Sequence, residues 1–162
     1  MGIEVTEAVN QDYARASTLT DINRNRAFED LSLFKWGAPA KSHEELREIL
    51  SREKLFGPGW VGSEVEDEFA QAAMDITLSK TKKLNSPHFA KFDENYLLIY
   101  CNLCLPALEN DEACQIFSEK IRNYWSDDSF SKVVVEDDVN LFVFNTKGYE
   151  LIKIYDVWNI NH

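Results

Sequence analysis

The sequence lacks an apolar run near the roughly 20 residues that a helix needs to span a bilayer. That argues against a membrane protein. It does not open on a basic stretch followed by an apolar segment, so a secretory leader is not expected and cytoplasmic residence is. Cysteine is scarce and odd in number: Cys101, Cys104 and Cys114, without a leader, argue against a disulfide framework. The six glycines are scattered, and Gly57-Pro58-Gly59-Trp60-Val61-Gly62 lacks the lysine that a phosphate-binding loop carries between strand and helix. The histidines, His43, His88 and His162, form no HxxxH or HxH pair, and no serine sits in a GxSxG turn. Basic residues are few, 17 against 28 acidic ones. The resulting charge of −11 repels phosphate backbones and attracts basic surfaces, which lowers the expectation of nucleic-acid binding and raises that of a basic protein partner.

What remains is a chain of 162 residues, 44% of them apolar, which is enough for one sizeable core. No repeat or low-complexity linker divides it, so residues 1–162 read as a single α/β domain. Met1-Gly2-Ile3-Glu4-Val5-Thr6-Glu7-Ala8-Val9 reads as a strand. Asn10 to Ala16 allows a helical turn, and the polar stretch on to Phe34 predicts no firm element. Capping-box spacing at Ser42 predicts a short helix to Glu53, and the same spacing at Ser63 opens a long helix over Glu64 to Leu84, stopped by Asn85-Ser86-Pro87. Tyr96 to Tyr100 is an apolar run without alternation, expected as a central strand buried on both faces. Asp111 to Trp125 reads as a helix with Ala113, Ile116, Phe117, Ile121 and Tyr124 on one side. Three strands are expected over 130–135, 140–144 and 149–155, the last two as a hairpin.

The order of "GIEVTEA", a helix containing "ITLSKTKKLNSPHF", the strand "ENYLLIYCN", a helix and closing strands resembles bacterial proteins of the restriction-endonuclease-like, or PD-(D/E)xK, superfamily. The resemblance implies a mixed central sheet flanked by helices. In that superfamily an Asp and the acid of the following strand hold Mg²⁺, which polarises the phosphate and lowers the pKa of the attacking water. A lysine two positions beyond the acid helps to position that water. Glu4 stands where the acid would be, Thr6 where the lysine would be, and Lys80 or Lys83 are the residues that could supply the migrated charge. The superfamily's first Asp lies upstream of this strand, so an N-terminally truncated member is one expectation. Asp12 and Asp21 lie downstream and carry no motif support.

For Glu4 the competing reading is a residue on a sheet edge, with Ile3 and Val5 buried on one face and Glu4 and Thr6 on the other; that reading is preferred. Cys101-Asn102-Leu103-Cys104, with Cys114 and His88, has a spacing seen in zinc sites, but a lone CxxC among apolar neighbours reads better as core. The more informative feature is acidic. Glu64, Glu66, Asp67 and Glu68, Asp127 and Asp128, and Glu136, Asp137 and Asp138 are candidates to meet the Lys and Arg side chains of a partner, with Trp125, Trp158 and Tyr149 as apolar anchors. The leading expectation is therefore a non-catalytic acidic binding protein on a nuclease-like scaffold, most concretely an immunity or antitoxin protein that neutralises a basic bacterial toxin, without a cofactor. The alternative is a Mg²⁺-dependent nuclease, or a remnant of one, that uses Glu4 with Lys80 or Lys83 and takes nucleic acid as substrate.

Overall fold

In the computed structural model, residues 1–23, 31–52, 57–103 and 105–155 are described, with the side chains of 20–23 left aside. Five strands form one mixed sheet in the order β1 (Gly2–Ala8), β2 (Asn95–Cys101), β3 (Lys132–Asp137), β4 (Asn140–Asn145) and β5 (Gly148–Lys153). The first three are parallel, and β3, β4 and β5 are joined as antiparallel hairpins. Parallel neighbours need long crossovers. Here α1 (Gln11–Asn23), α2 (His43–Ser51) and α3 (Glu64–Leu84) lie between β1 and β2, and α4 (Asn110–Ile121) lies between β2 and β3. Among the described residues no helix is long and apolar enough to cross a membrane.

The core forms where α3 and α4 pack together over one face of the sheet. Strand register aligns two inner rows: Glu4, Leu97, Val133 and Phe144 in one, Thr6, Ile99, Val135 and Phe142 in the other. The apolar members of both rows are all but inaccessible. Phe69 of α3 meets Phe142 with ring centres 5.1 Å apart, and Phe117 of α4 meets Phe144 edge-on at 4.6 Å. Aromatic pairs in these tilted geometries contribute beyond their buried area. A smaller cluster of Ala16, Phe34 and Leu46 joins α1, α2 and the 3₁₀ turn Leu31–Phe34.

Several expectations change at this level. The β2 strand is not buried on both faces: Leu97 and Ile99 point into the core, while Leu98 is half-buried and Tyr100 is 44% exposed. The reason is that α3 and α4 occupy the same side of the sheet, so β2 follows the alternation of a one-sided sheet. The parity of β1 is also the reverse of the expected one. Ile3 and Val5 are 58% and 52% exposed, and Glu4 and Thr6 face inward. Small residues at both ends of β1 set this parity, since Ala8 is buried in the core and a Cβ on Gly2 would lie 2.5 Å from the Phe92 ring.

The Ser42 capping box forms as expected: the Ser42 hydroxyl accepts from the Glu45 amide at 3.1 Å, and the Glu45 carboxylate accepts from the Ser42 amide at 2.6 Å. That helix ends at Ser51 with Arg52 as its extended C-cap, and the expected end, Glu53, lies outside the described residues. At Ser63 no box forms, because its ψ of 19° is not the extended geometry of such a cap and Glu66 is engaged elsewhere. The α4 helix ends at Ile121 rather than Trp125, and α1 continues to Asn23 from a cap at Asn10, whose side-chain oxygen accepts from the Asp12 and Tyr13 amides.

Candidate functional site

Lys80 and Lys83 lie three residues apart near the end of α3, on the same side of the helix, where the helix dipole also favours cations. Both reach across to β1. The Lys80 ammonium donates to Glu4 Oε1 at 3.0 Å and the Lys83 ammonium donates to the same oxygen at 2.8 Å. These contacts span 76 and 79 residues of sequence. The Glu4 side chain is only 15% exposed, Lys80 is 25% exposed and Lys83 is 54% exposed, so the acid and one lysine are held inside while the other lysine opens to solvent. The Lys83 hydrogen bond is the main reason that the Glu4 carboxyl is held below its ordinary range; burial opposes the shift, and Lys80 adds to it.

The helix end that carries the lysines is fixed from behind. Thr77 and Thr81 donate to the carbonyls of Ala73 and Thr77, and the Thr81 hydroxyl meets the Tyr124 hydroxyl at 2.6 Å. Tyr124 in turn accepts from the Phe130 amide, and burial pushes its phenol above the usual range. Beside Glu4 opens a cavity of about 210 Å³ lined by Gly2, Glu4, His88, Phe89, Phe92 and Asn95 among others. The Lys83 ammonium stands 5.5 Å from the centre of the Phe89 ring. Asn95 is buried and clamps the loop by accepting from the Phe92 amide and donating to the Phe92 carbonyl. This aromatic wall was not expected from the sequence. Its signal was legible as Pro87-His88-Phe89-Ala90-Lys91-Phe92, in which aromatic and basic residues interleave.

The acidic candidates divide differently. Glu66 is only 5% exposed and accepts from the Glu109 amide at 2.8 Å, so it cannot present its charge to a partner. Glu68 accepts from the Trp36 amide and the Trp60 indole, and Glu64 accepts from the Val61 amide and pairs with Lys35 at 2.8 Å. The Lys35 hydrogen bond is the first cause of a lowered Glu64 pKa, followed by the Val61 amide. Asp67 faces Lys120 of α4 at 3.7 Å. The acidic start of α3 is therefore largely an internal clamp on the neighbouring loops.

Asp127 and Asp128 precede β3, whereas Glu136, Asp137 and Asp138 lie at its far end, about 15–20 Å away along a strand of this length. Asp128 pairs with Lys91 at 3.0 Å. Burial raises the Glu136 and Asp137 carboxyls above their ordinary values, and the neighbouring Asp138 adds to this in both. Trp125 packs against the core and edge-on to Tyr124, Tyr149 is partly exposed beside Phe144, and Trp158 lies outside the described residues. Asp127 and Asp128 thus lie at the opposite end of β3 from Glu136, Asp137 and Asp138.

Among the described residues no group of three or more His, Cys, Asp or Glu side chains is arranged to hold a metal ion. His88 lies by the start of β2, whereas Cys101 ends it, and Cys114 is wholly buried in α4 with its thiol pushed up to about 12 by burial. Cys104 and His162 lie outside the described residues, as does the side chain of Asp21. Asp12 is buried, accepts from the Lys41 amide at 2.8 Å and pairs with Arg15, which gives it a local structural role at the entry to α2.

No family model matches the chain, and neither a curated protein nor a solved structure matches it.

Proposed function

We propose that Glu4, Lys80 and Lys83 form the acid-and-lysine part of a metal-dependent phosphodiesterase site on a restriction-endonuclease-like scaffold. The observation that carries this reading is the convergence of two ammonium groups from one helix end on a single inward-facing carboxylate. Both lysines engage Oε1, which leaves Oε2 as the oxygen to offer a cation. One carboxylate, with substrate phosphate and water, suits the way Mg²⁺ is commonly bound, so the donor chemistry at Glu4 fits that ion. When bound there, such an ion supplies Lewis-acid polarisation of the phosphate and a more acidic water. Both lysines hold Glu4 ionised, Lys83 the more strongly, and the better buried Lys80 orients it. The more exposed Lys83 can turn towards a phosphate oxygen and offset its charge.

The test is cleavage of labelled DNA and RNA by the purified chain with Mg²⁺ or Mn²⁺. Cleavage that is lost in Glu4→Ala and reduced in Lys83→Ala supports the assignment; activity unchanged in Glu4→Ala refutes it.

A second reading, an immunity or antitoxin protein for a basic toxin, is supported by the net charge of −11 and by the exposure of Asp127 and Asp138. The engagement of Glu64, Glu66 and Glu68 within the fold weighs against it. Mixing with a basic toxin encoded beside this gene tests it: a stable complex that protects cells favours this reading, and absence of binding removes it.

A further inference from the structure

We infer that the cavity beside Glu4 receives one unpaired nucleobase, and that the ligand of this surface is single-stranded nucleic acid. The inference rests on the phosphodiester reading of Glu4, Lys80 and Lys83 and supplies what that reading leaves open, the form of the substrate. Three observations carry it. The first is position: Glu4 itself lines the cavity, and Lys83 joins the two by bonding Glu4 at 2.8 Å while standing 5.5 Å from the Phe89 ring centre. A phosphate drawn to Lys83 would therefore have an aromatic wall next to it.

The second is preorganisation. Phe92 is 52% exposed, an unusual condition for a phenylalanine held this firmly. Asn95 bonds the Phe92 backbone through both its amide oxygen and its amide nitrogen, and the Gly2 backbone lies so close to the Phe92 ring that a Cβ there would come within 2.5 Å. An exposed ring fixed in this way offers a face for stacking without the cost of ordering it on binding. The third is size. At about 210 Å³ the space is smaller than the roughly 300–1,000 Å³ of sites that enclose a drug-sized ligand, which suits one planar ring system.

A base inside a duplex is stacked on both faces and cannot enter such a cavity without being turned out. Unpaired strands present every base face and are gripped by the combination of cations and aromatic side chains found here. Lys83, more than half exposed beside the Phe89 ring, provides the cation at the rim. With one such contact available, affinity should depend only weakly on salt: a single contact gives a slope of log K against log salt of about −0.7 for a single strand.

The experiment is fluorescence anisotropy of the full chain with a labelled mixed-sequence 12-mer, without divalent metal, compared with its duplex and with the same 12-mer carrying abasic sites. The single strand should bind more tightly than either. Phe92→Ala should weaken single-strand binding by about five- to 150-fold, the range for loss of one base–aromatic stack, and Phe92→Trp should restore it. Circular dichroism verifies that both variants fold. Equal binding of the intact and abasic strands, equal binding by Phe92→Ala, or no binding of the 12-mer overturns the inference. Glu4-dependent cleavage without dependence on Phe92 would keep the phosphodiester reading and remove the base cavity. Phe92-dependent binding without Glu4-dependent cleavage would do the reverse.

Discussion

Replacing Glu4 by Gln keeps its size and hydrogen-bonding oxygen but removes the charge that two lysines share. Lys83 is 54% exposed, and exposed ion pairs are worth about 0.2–1 kcal/mol. Lys80 and Glu4 are 25% and 15% exposed, closer to the conditions in which a hydrogen bond to a charged group contributes about 1.5–3 kcal/mol. The glutamine retains part of both contacts, so a net loss of about 2 kcal/mol is expected near neutral pH. For a chain of this size that corresponds to a fall in Tm of about 4–8 °C. The pH dependence gives the sharper test. The Glu4 pKa is lowered on folding, so its contribution is present above the ordinary value of 4.5 and is lost as pH falls through the lower value of the folded protein. Urea unfolding of the wild type and Glu4→Gln should therefore show a gap at pH 7 that narrows steadily below pH 4.5. A gap of zero at pH 7, or one that does not change on acidification, would refute the electrostatic account of this site.

The two serines with capping-box spacing should behave differently on substitution. Ser42→Ala should cost about 1 kcal/mol, whereas Ser63→Ala, whose side chain makes no cap, should stay within about 0.5 kcal/mol in urea titrations. Equal effects would contradict the observed geometries. Glu66→Ala should destabilise by about 1–3 kcal/mol by leaving the Glu109 amide without its acceptor, with little effect on any basic partner. A stable Glu66→Ala variant that loses partner binding would return Glu66 to the surface role expected from the sequence.

The fold was legible where local and tertiary signals agreed. The long helix was found from Glu64 to Leu84, because its apolar period, its acidic start, its basic end and the following Asn85-Ser86-Pro87 all point to the same boundaries. By contrast, β3 lies at Lys132–Asp137 rather than 130–135, and β5 ends at Lys153, with residues 154 and 155 helical. The closing strands were nonetheless legible in number and as a hairpin, because the Asn145-Thr146-Lys147-Gly148 turn separates two apolar runs. The two faces of β2 were not, since Tyr96 to Tyr100 is apolar at every position and only the placement of both helices on one side decides which residues are covered. Burial of Glu66 was also out of reach, because its partner is a backbone amide 43 residues away.

The site was half legible, and the reason lies in the parity of β1. Alternation alone correctly separates Ile3 and Val5 from Glu4 and Thr6, but it does not say which pair turns inward. Hydrophobicity favours burying the isoleucine and valine, and it is overruled by Gly2 packed against Phe92 and by Ala8 in the core. Once those small residues fix the strand, Glu4 falls in the inner row with Leu97, Val133 and Phe144, where an unpaired carboxylate would be costly. Lys80 and Lys83 remove that cost. An inward charge on an edge strand also discourages pairing with foreign strands. Of the two ammonium groups that neutralise it, Lys83, more than half exposed and beside the Phe89 ring, is the one placed to meet a ligand as well.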